Sequence, residues 1–181
     1  QLPRLDHTDR GGVIANHLGD AAGIDRLARY ALTTLYRLDP AEVSAMAPAQ
    51  AAAALLTRTV AATARTVAAQ MIAGFVHGVL NSDNINVTGE SFDYGPWRFL
   101  PRFDPGFTAA YFDTGGLYSF ARQPEALFWN LARLAESLVP LFDADINAGV
   151  DFAQETINGF QEKFATQRHS DIAAALDSTT E

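Results

Sequence analysis

The sequence predicts a mainly α-helical domain with one small β-hairpin near its centre. Three features carry that expectation. Residues 49–75 form an alanine-rich run with Leu56, Val60, Ala64, Val67 and Met71 on one helical face, and alanine has the highest helix propensity of any residue. Residues 124–139 repeat the pattern with Leu127, Leu131, Leu134 and Leu138. Between them, residues 77–95 turn polar, with Ile85, Val87 and Phe92 flanking a Thr88-Gly89-Glu90 turn, the pattern of a short hairpin.

The elements come in chain order. Residues 1–19 have no period, and Pro3, Gly11, Gly12 and Gly19 mark an irregular lead-in. Asp20 is placed to cap a helix over about 21–37, whose apolar stripe is Ile24, Leu27, Ala28, Ala31, Leu35 and Leu38, with Asp39-Pro40 as its stop. A short helical segment at 41–47 precedes Pro48 and the long alanine-rich helix. Residues 96–120 are rich in turns and aromatic rings, which are expected to pack in a core or an interface. The helix after Pro124 is expected to end at Pro140. A last helix at 148–166 leads into a polar tail at 169–181. The domain proper is thus read as 20–168.

Composition narrows the function. The 181 residues are 48% hydrophobic and 19% charged, a globular balance. The net charge of −8 argues against a nucleic-acid binder, which needs a basic field to neutralise phosphates. Cysteine is absent, which removes disulfides, thiolate zinc sites and cysteine nucleophiles. No run reaches the roughly 18 uncharged apolar residues of a membrane span. The basic residues are twelve Arg and one Lys, Lys163. The chain starts with Gln1 and lacks a signal-peptide pattern. It is read as a piece of a longer protein acting in the cytoplasm.

The polar stretch carries the chemistry. HGVLNSDN (His77 to Asn84) can be set beside the protein-kinase loop H-R-D-L-x-x-x-N, with His77, Leu80 and Asn84 in register. Nine residues on, Asp93-Tyr94-Gly95 stands where kinases have D-F-G. In a kinase the Asn and that Asp hold Mg²⁺ against the nucleotide phosphates. A hairpin would return Asn84 and Asp93 to one end, and Mg²⁺ binds through one or two carboxylates plus phosphate oxygens. The kinase base is missing, because its slot is Val79. The site either only binds nucleotide, or Asp83 takes over a base or electrostatic role. No Gly-rich phosphate loop occurs, and Lys163 lies far downstream, so the nucleotide-binding amino-terminal lobe is expected to be missing from this chain.

The stretch GFVHGVLNSDNINVTGESFDYGPWRFLPRFDPGFTAAYFD (Gly74 to Asp113) resembles the selenoprotein O family of kinase-fold protein adenylyltransferases. RQPEALFWNLARLAESLVP (Arg122 to Pro140) is similar to the next segment in that family. The likeness is dense over about 70–140 and thinner over 20–40 and 141–168. It implies the helical lobe of a kinase-like fold, with ATP flipped so that its α-phosphate faces the acceptor and AMP passes to a Ser, Thr or Tyr hydroxyl of a protein. It further implies Asp83 as the catalytic proton acceptor, Asn84 and Asp93 as Mg²⁺ ligands (Mn²⁺ being the alternative ion), and Asp93 as an ATP contact. Two departures stand out. The family's S-H-x-R-x-G-T-F segment reads HTDRGGVIAN (His7 to Asn16) here, so Arg10 is given no role, and the family's carboxyl-terminal selenocysteine or cysteine is absent.

The remaining residues receive structural readings. His77 is expected to brace the loop through hydrogen bonds, Tyr94 and Trp97 to pack, and Asp104 and Asp113 to serve turns. The glycosylation-like Asn86-Val87-Thr88 is assigned to the hairpin. The competing function is a non-catalytic nucleotide-binding or interaction module. An ordinary kinase is disfavoured by Val79.

Overall fold

The computed structural model describes residues 20–143 and 145–178. The expected lead-in over 1–19, with Arg10, lies outside them, as do the last three residues of the expected tail. The chain packs as two compact units, Gln1–Val60 with Leu131–Asn158, and Ala61–Asn130 with Gly159–Glu181.

In the first unit, helix α1 (Ala21–Tyr30) begins where Asp20 accepts a hydrogen bond from the Gly23 amide at 3.0 Å. It continues as one π-helical turn, Ala31–Leu35. That turn corrects the expected stripe. Ala28, Ala31 and Leu32 are buried, while Leu27 is 69% exposed and Leu35 is exposed as well. The wider turn adds a residue and rotates Leu35 away from the buried face, while Leu27 is already exposed ahead of it. Asp39-Pro40 is not the stop for α1 but the start of α2 (Pro40–Ala45), with Asp39 accepting from the Ala41 amide at 2.6 Å. The break comes earlier, at Arg37, whose φ is 56°. Arg29 pairs with Asp25 at 2.8 Å and donates to the carbonyls of Val43 and Met46, binding α1 to α2.

Three longer helices each contribute to both units. Helix α3 (Pro48–Ile72) buries Leu56, Val60, Ala64 and Val67 as its spacing predicts. Helix α4 (Gln123–Phe142) buries Leu127, Leu131 and Leu138. It runs through Pro140 rather than ending there. Proline's fixed φ is itself helical, so this close to the end the helix loses one hydrogen bond and still completes its turn. Helix α5 (Ile146–Ser178) is far longer than the expected 148–166. Its start is set by Asp145, which accepts from the Asn147 amide at 2.9 Å. Over residues 161–174 it buries no side chain. The QRHSDIAAALD stretch holds these turns by propensity and by side-chain bonds such as Gln167 to Asp171 at 2.7 Å. No helix among the described residues is long and apolar enough to cross a membrane.

The second unit holds the β structure. Strand β1 (Phe75–Val76) pairs antiparallel with β2 (Arg98–Phe99), Phe75 opposite Phe99 and Val76 opposite Arg98. The two-stranded sheet therefore brackets the polar stretch instead of lying within it. The expected hairpin is reduced to one bridge, Ile85 to Ser91, closed by the Gly89 amide donating to the Asn86 carbonyl at 2.9 Å. The aromatic rings of 96–120 also depart from expectation. Phe120 is buried, but Trp97, Phe99, Phe103, Tyr111 and Phe112 are exposed. The core of this unit sets Phe128 against Phe160, ring centres 6.1 Å apart.

Candidate active site

The loop starts where β1 ends. His77 is wholly buried, and Gly78 turns the chain with φ of 89°, a conformation open to glycine at little cost. The carbonyl of buried Leu80 accepts from Asn130 on α4 at 2.9 Å. The next turn is closed by the Asn84 amide donating to the Asn81 carbonyl at 3.1 Å. The Asn84 side chain then reaches back, Nδ2 donating to the Val79 carbonyl at 2.9 Å. Asp83 stands exposed on this turn. Tyr118 closes the other side, its hydroxyl donating to Asn81 Oδ1. Burial, then Asp113 and Asp83, push the Tyr118 phenol upward from its ordinary range, so it stays protonated and remains a donor.

One buried hydroxyl gathers the two candidate metal ligands. Ser91 Oγ lies 2.9 Å from the Asn84 carbonyl and 3.3 Å from the Asp93 carbonyl. It is also 2.6 Å from His77 Nε2. The Val79 amide donates to His77 Nδ1 at 3.3 Å, so the ring proton sits on Nε2 and points at Ser91. Ser91 in turn donates to Asn84. Burial lowers the His77 pKa, against the opposing pull of Asp93, which keeps the ring neutral. The brace expected of His77 is present.

The structure thus brings the main chains of Asn84 and Asp93 together at the base of the hairpin, with Asp83 adjacent. Asn84 Oδ1 and the carboxylates of Asp83 and Asp93 accept no hydrogen bond among the described residues. No group of three or more His, Asp or Glu side chains that could hold a metal ion occurs among the described residues. The side-chain oxygens this loop leaves open are therefore one amide oxygen and two carboxylates. Hard oxygen ligands in that small number suit Mg²⁺, which keeps water and phosphate in its remaining positions.

The supporting residues read from the sequence also have places. Tyr94 stacks on His77 and Trp97 on Phe75, centres 5.5 and 5.8 Å apart. Asp104 accepts from the Gly106 amide at 2.9 Å, and Asp113 from Leu117 and Tyr118 at 2.8 Å each, both turn roles. Asn86 lies in the hairpin turn. Ser91, Tyr118, Asn130 and Gln123 carry no signal in the sequence. The partners of Tyr118, Asn130 and Gln123 lie 37 to 50 residues away, and spacing holds no trace of such pairs.

Residues 14–177 match the family model for protein adenylyltransferase SelO. The chain belongs to the SelO family. Three relatives are each called protein nucleotidyltransferase YdiU. The one from Corynebacterium efficiens is 51% identical over 115 residues, 64% of this chain and 23% of the relative. The one from Pseudarthrobacter chlorophenolicus is 40% identical over 96% of this chain and 37% of its own length. The one from Rhodopseudomonas palustris is 40% identical over 87% and 31%. The chain spans about a quarter to two-fifths of the curated SelO-family relatives it matches.

Proposed function

We propose that this chain carries the catalytic and metal-binding loop of a protein adenylyltransferase, which moves AMP from ATP to a Ser, Thr or Tyr hydroxyl of a protein. The observation that carries the reading is the Ser91 hydroxyl within reach of both the Asn84 and the Asp93 carbonyls, at the spacing that the family likeness demands. The proposed fold is the helical lobe of a kinase-like protein, with the phosphate-covering lobe supplied by sequence outside this chain. The place of action is the cytoplasm, where ATP is at hand.

In this reading Asn84 Oδ1 and the Asp93 carboxylate would hold Mg²⁺, or Mn²⁺ in its place. A divalent ion there neutralises the charge that develops on departing pyrophosphate. Asp83, exposed beside them, takes the proton of the acceptor hydroxyl. The freed oxygen forms the new bond to the α-phosphorus as the bond to the β-phosphate bridge breaks. Val79 makes no polar side-chain contribution, consistent with a base displaced to Asp83.

The test is labelled ATP supplied to the full reading frame that encodes this chain. Label at the α-phosphate should appear on protein, and label at the γ-phosphate should not. Asp93→Ala should abolish metal-dependent ATP binding. Asp83→Ala should cut transfer by ~100-fold or more, within the usual range for a general base, while ATP still binds. Equal loss of binding and transfer in Asp83→Ala would refute that division of roles. The second reading, a nucleotide-binding module without catalysis, is favoured by the lack of a Gly-rich loop and by the distance of Lys163 from the loop. It predicts ATP binding with neither label transferred.

A further inference from the structure

The Gln-Pro-Glu-Ala segment that opens α4 has no part in the proposed chemistry, yet its first residue is wholly buried. Gln123 Oε1 accepts from the His77 amide at 3.0 Å, and Gln123 Nε2 donates to the Phe75 carbonyl at 2.9 Å. The geometry of β1 gives this pair its meaning. The Gly74 carbonyl bonds to the Leu100 amide at 2.8 Å on the side of β2. Along a strand, alternate residues direct their N–H and C=O groups to the same edge. Phe75 and His77 therefore present theirs to the opposite edge, where no strand lies among the described residues. The amide of Gln123 stands in there for one peptide group of a third strand, with one acceptor and one donor. Glutamate would keep the acceptor and lose the donor. Methionine would lose both and leave a buried amide and a half-buried carbonyl unpaired.

We propose that Gln123 is a positioning residue for the metal-binding loop, its side-chain amide setting the first residue of the loop and His77 and Ser91 carrying that setting to Asn84 and Asp93. Each link is a hydrogen bond: Gln123 to the His77 main chain, the His77 ring to Ser91, and Ser91 to the Asn84 carbonyl. The inference rests on the proposed metal role of Asn84 and Asp93, and its test separates the two.

The test uses the product of the full reading frame that encodes this chain, with Mn²⁺·ATP binding followed by electron paramagnetic resonance and amide hydrogen exchange followed by NMR. All measurements are made well below each variant's melting midpoint. Gln123→Met and Ser91→Ala should each weaken Mn²⁺·ATP at least tenfold. Because they break one chain of contacts, the double variant should be little worse than the poorer single one. Both should speed exchange at the Asn86 and Phe92 amides of the hairpin. Leu138→Ala, a cavity in the other unit, should lower the melting midpoint while leaving affinity and hairpin exchange unchanged. If Gln123→Met does not fold, Gln123→Glu takes its place and should show an intermediate loss. Affinity and exchange in the Gln123 variant within twofold of the parent chain would overturn the proposal, as would losses that multiply with Ser91→Ala. A full-length parent protein that binds no Mn²⁺·ATP, but whose hairpin exchange still responds to both substitutions, would sink the metal assignment and leave the positioning role standing.

Discussion

His77 is a titratable ring shut away from water, with both nitrogens committed to hydrogen bonds. Its folded-state pKa is lowered by burial. As pH falls, the unfolded ring therefore takes up its proton first, and the unfolded state gains. The stability that the neutral ring contributes is complete above the ordinary histidine range, about 6.5, and is lost as pH drops below it. Urea unfolding at pH 7.5 and at 5.5 should show a clear fall in midpoint for the parent chain. In His77→Gln the fall should be smaller, from a lower starting midpoint. Arg37 gives a second residue-level test. It holds a left-handed conformation, φ 56°, with a full side chain, which glycine adopts without that strain. Arg37→Gly should leave thermal stability higher by about 0.5 kcal/mol, the net of relieved strain and added chain entropy.

At the scale of elements, the hairpin depends on a seat prepared by α3. A side-chain carbon added at Gly89, where φ is 87°, would meet the Ala62 backbone of α3 at 2.8 Å. Neither a rotamer change nor a small shift of a flexible group relieves a clash with a helix backbone. Gly89→Ala should cost about 1–3 kcal/mol and weaken Mn²⁺·ATP binding along with it, read from urea midpoints and from titration. At α2 the expectation is simpler. Asp39→Ala removes the side chain that caps the Ala41 and Glu42 amides, worth about 1 kcal/mol. These elements also show what a sequence can tell. The Asp20 cap and the stripe from Leu56 to Val67 are legible because a cap and a helical face are local, set by residues within two turns. The π-helical turn after Tyr30 leaves no pattern, since one extra residue in a turn looks the same as ordinary spacing. The helix beyond residue 166 escapes a reading based on apolar periodicity, because those turns stand on propensity rather than burial.

Across the molecule, the acidic balance of −8 coexists with a run of exposed rings. Trp97, Phe99, Phe103, Tyr111 and Phe112 are each about half exposed or more. Exposed apolar rings on a chain this short favour association. Sedimentation of the 181-residue chain should show concentration-dependent self-association, reduced in Phe103→Ser with Tyr111→Ser. Aromatic residues are usually covered, and sequence alone carries no account of which surface a piece of a protein leaves open. The site is legible to a different degree. Asn84 and Asp93 can be proposed from spacing because both lie on one short loop, and Asp83 from its place beside Asn84. Gln123 cannot, because its partner His77 is 46 residues away.

The seat of Gly89 on Ala62 also fixes a length. Between Ala62 and Phe75 the chain must finish α3, leave it and enter β1 so that the turn comes back onto the same helix surface. One inserted residue would swing that exit by about 100° and lengthen the helix by about 1.5 Å, delivering the loop to the wrong side of its own support. Within this interval, exposed positions such as Arg65 and Ala69 are free to change identity, while the number of residues is not. Lineages of this protein should therefore carry substitutions here and no gaps.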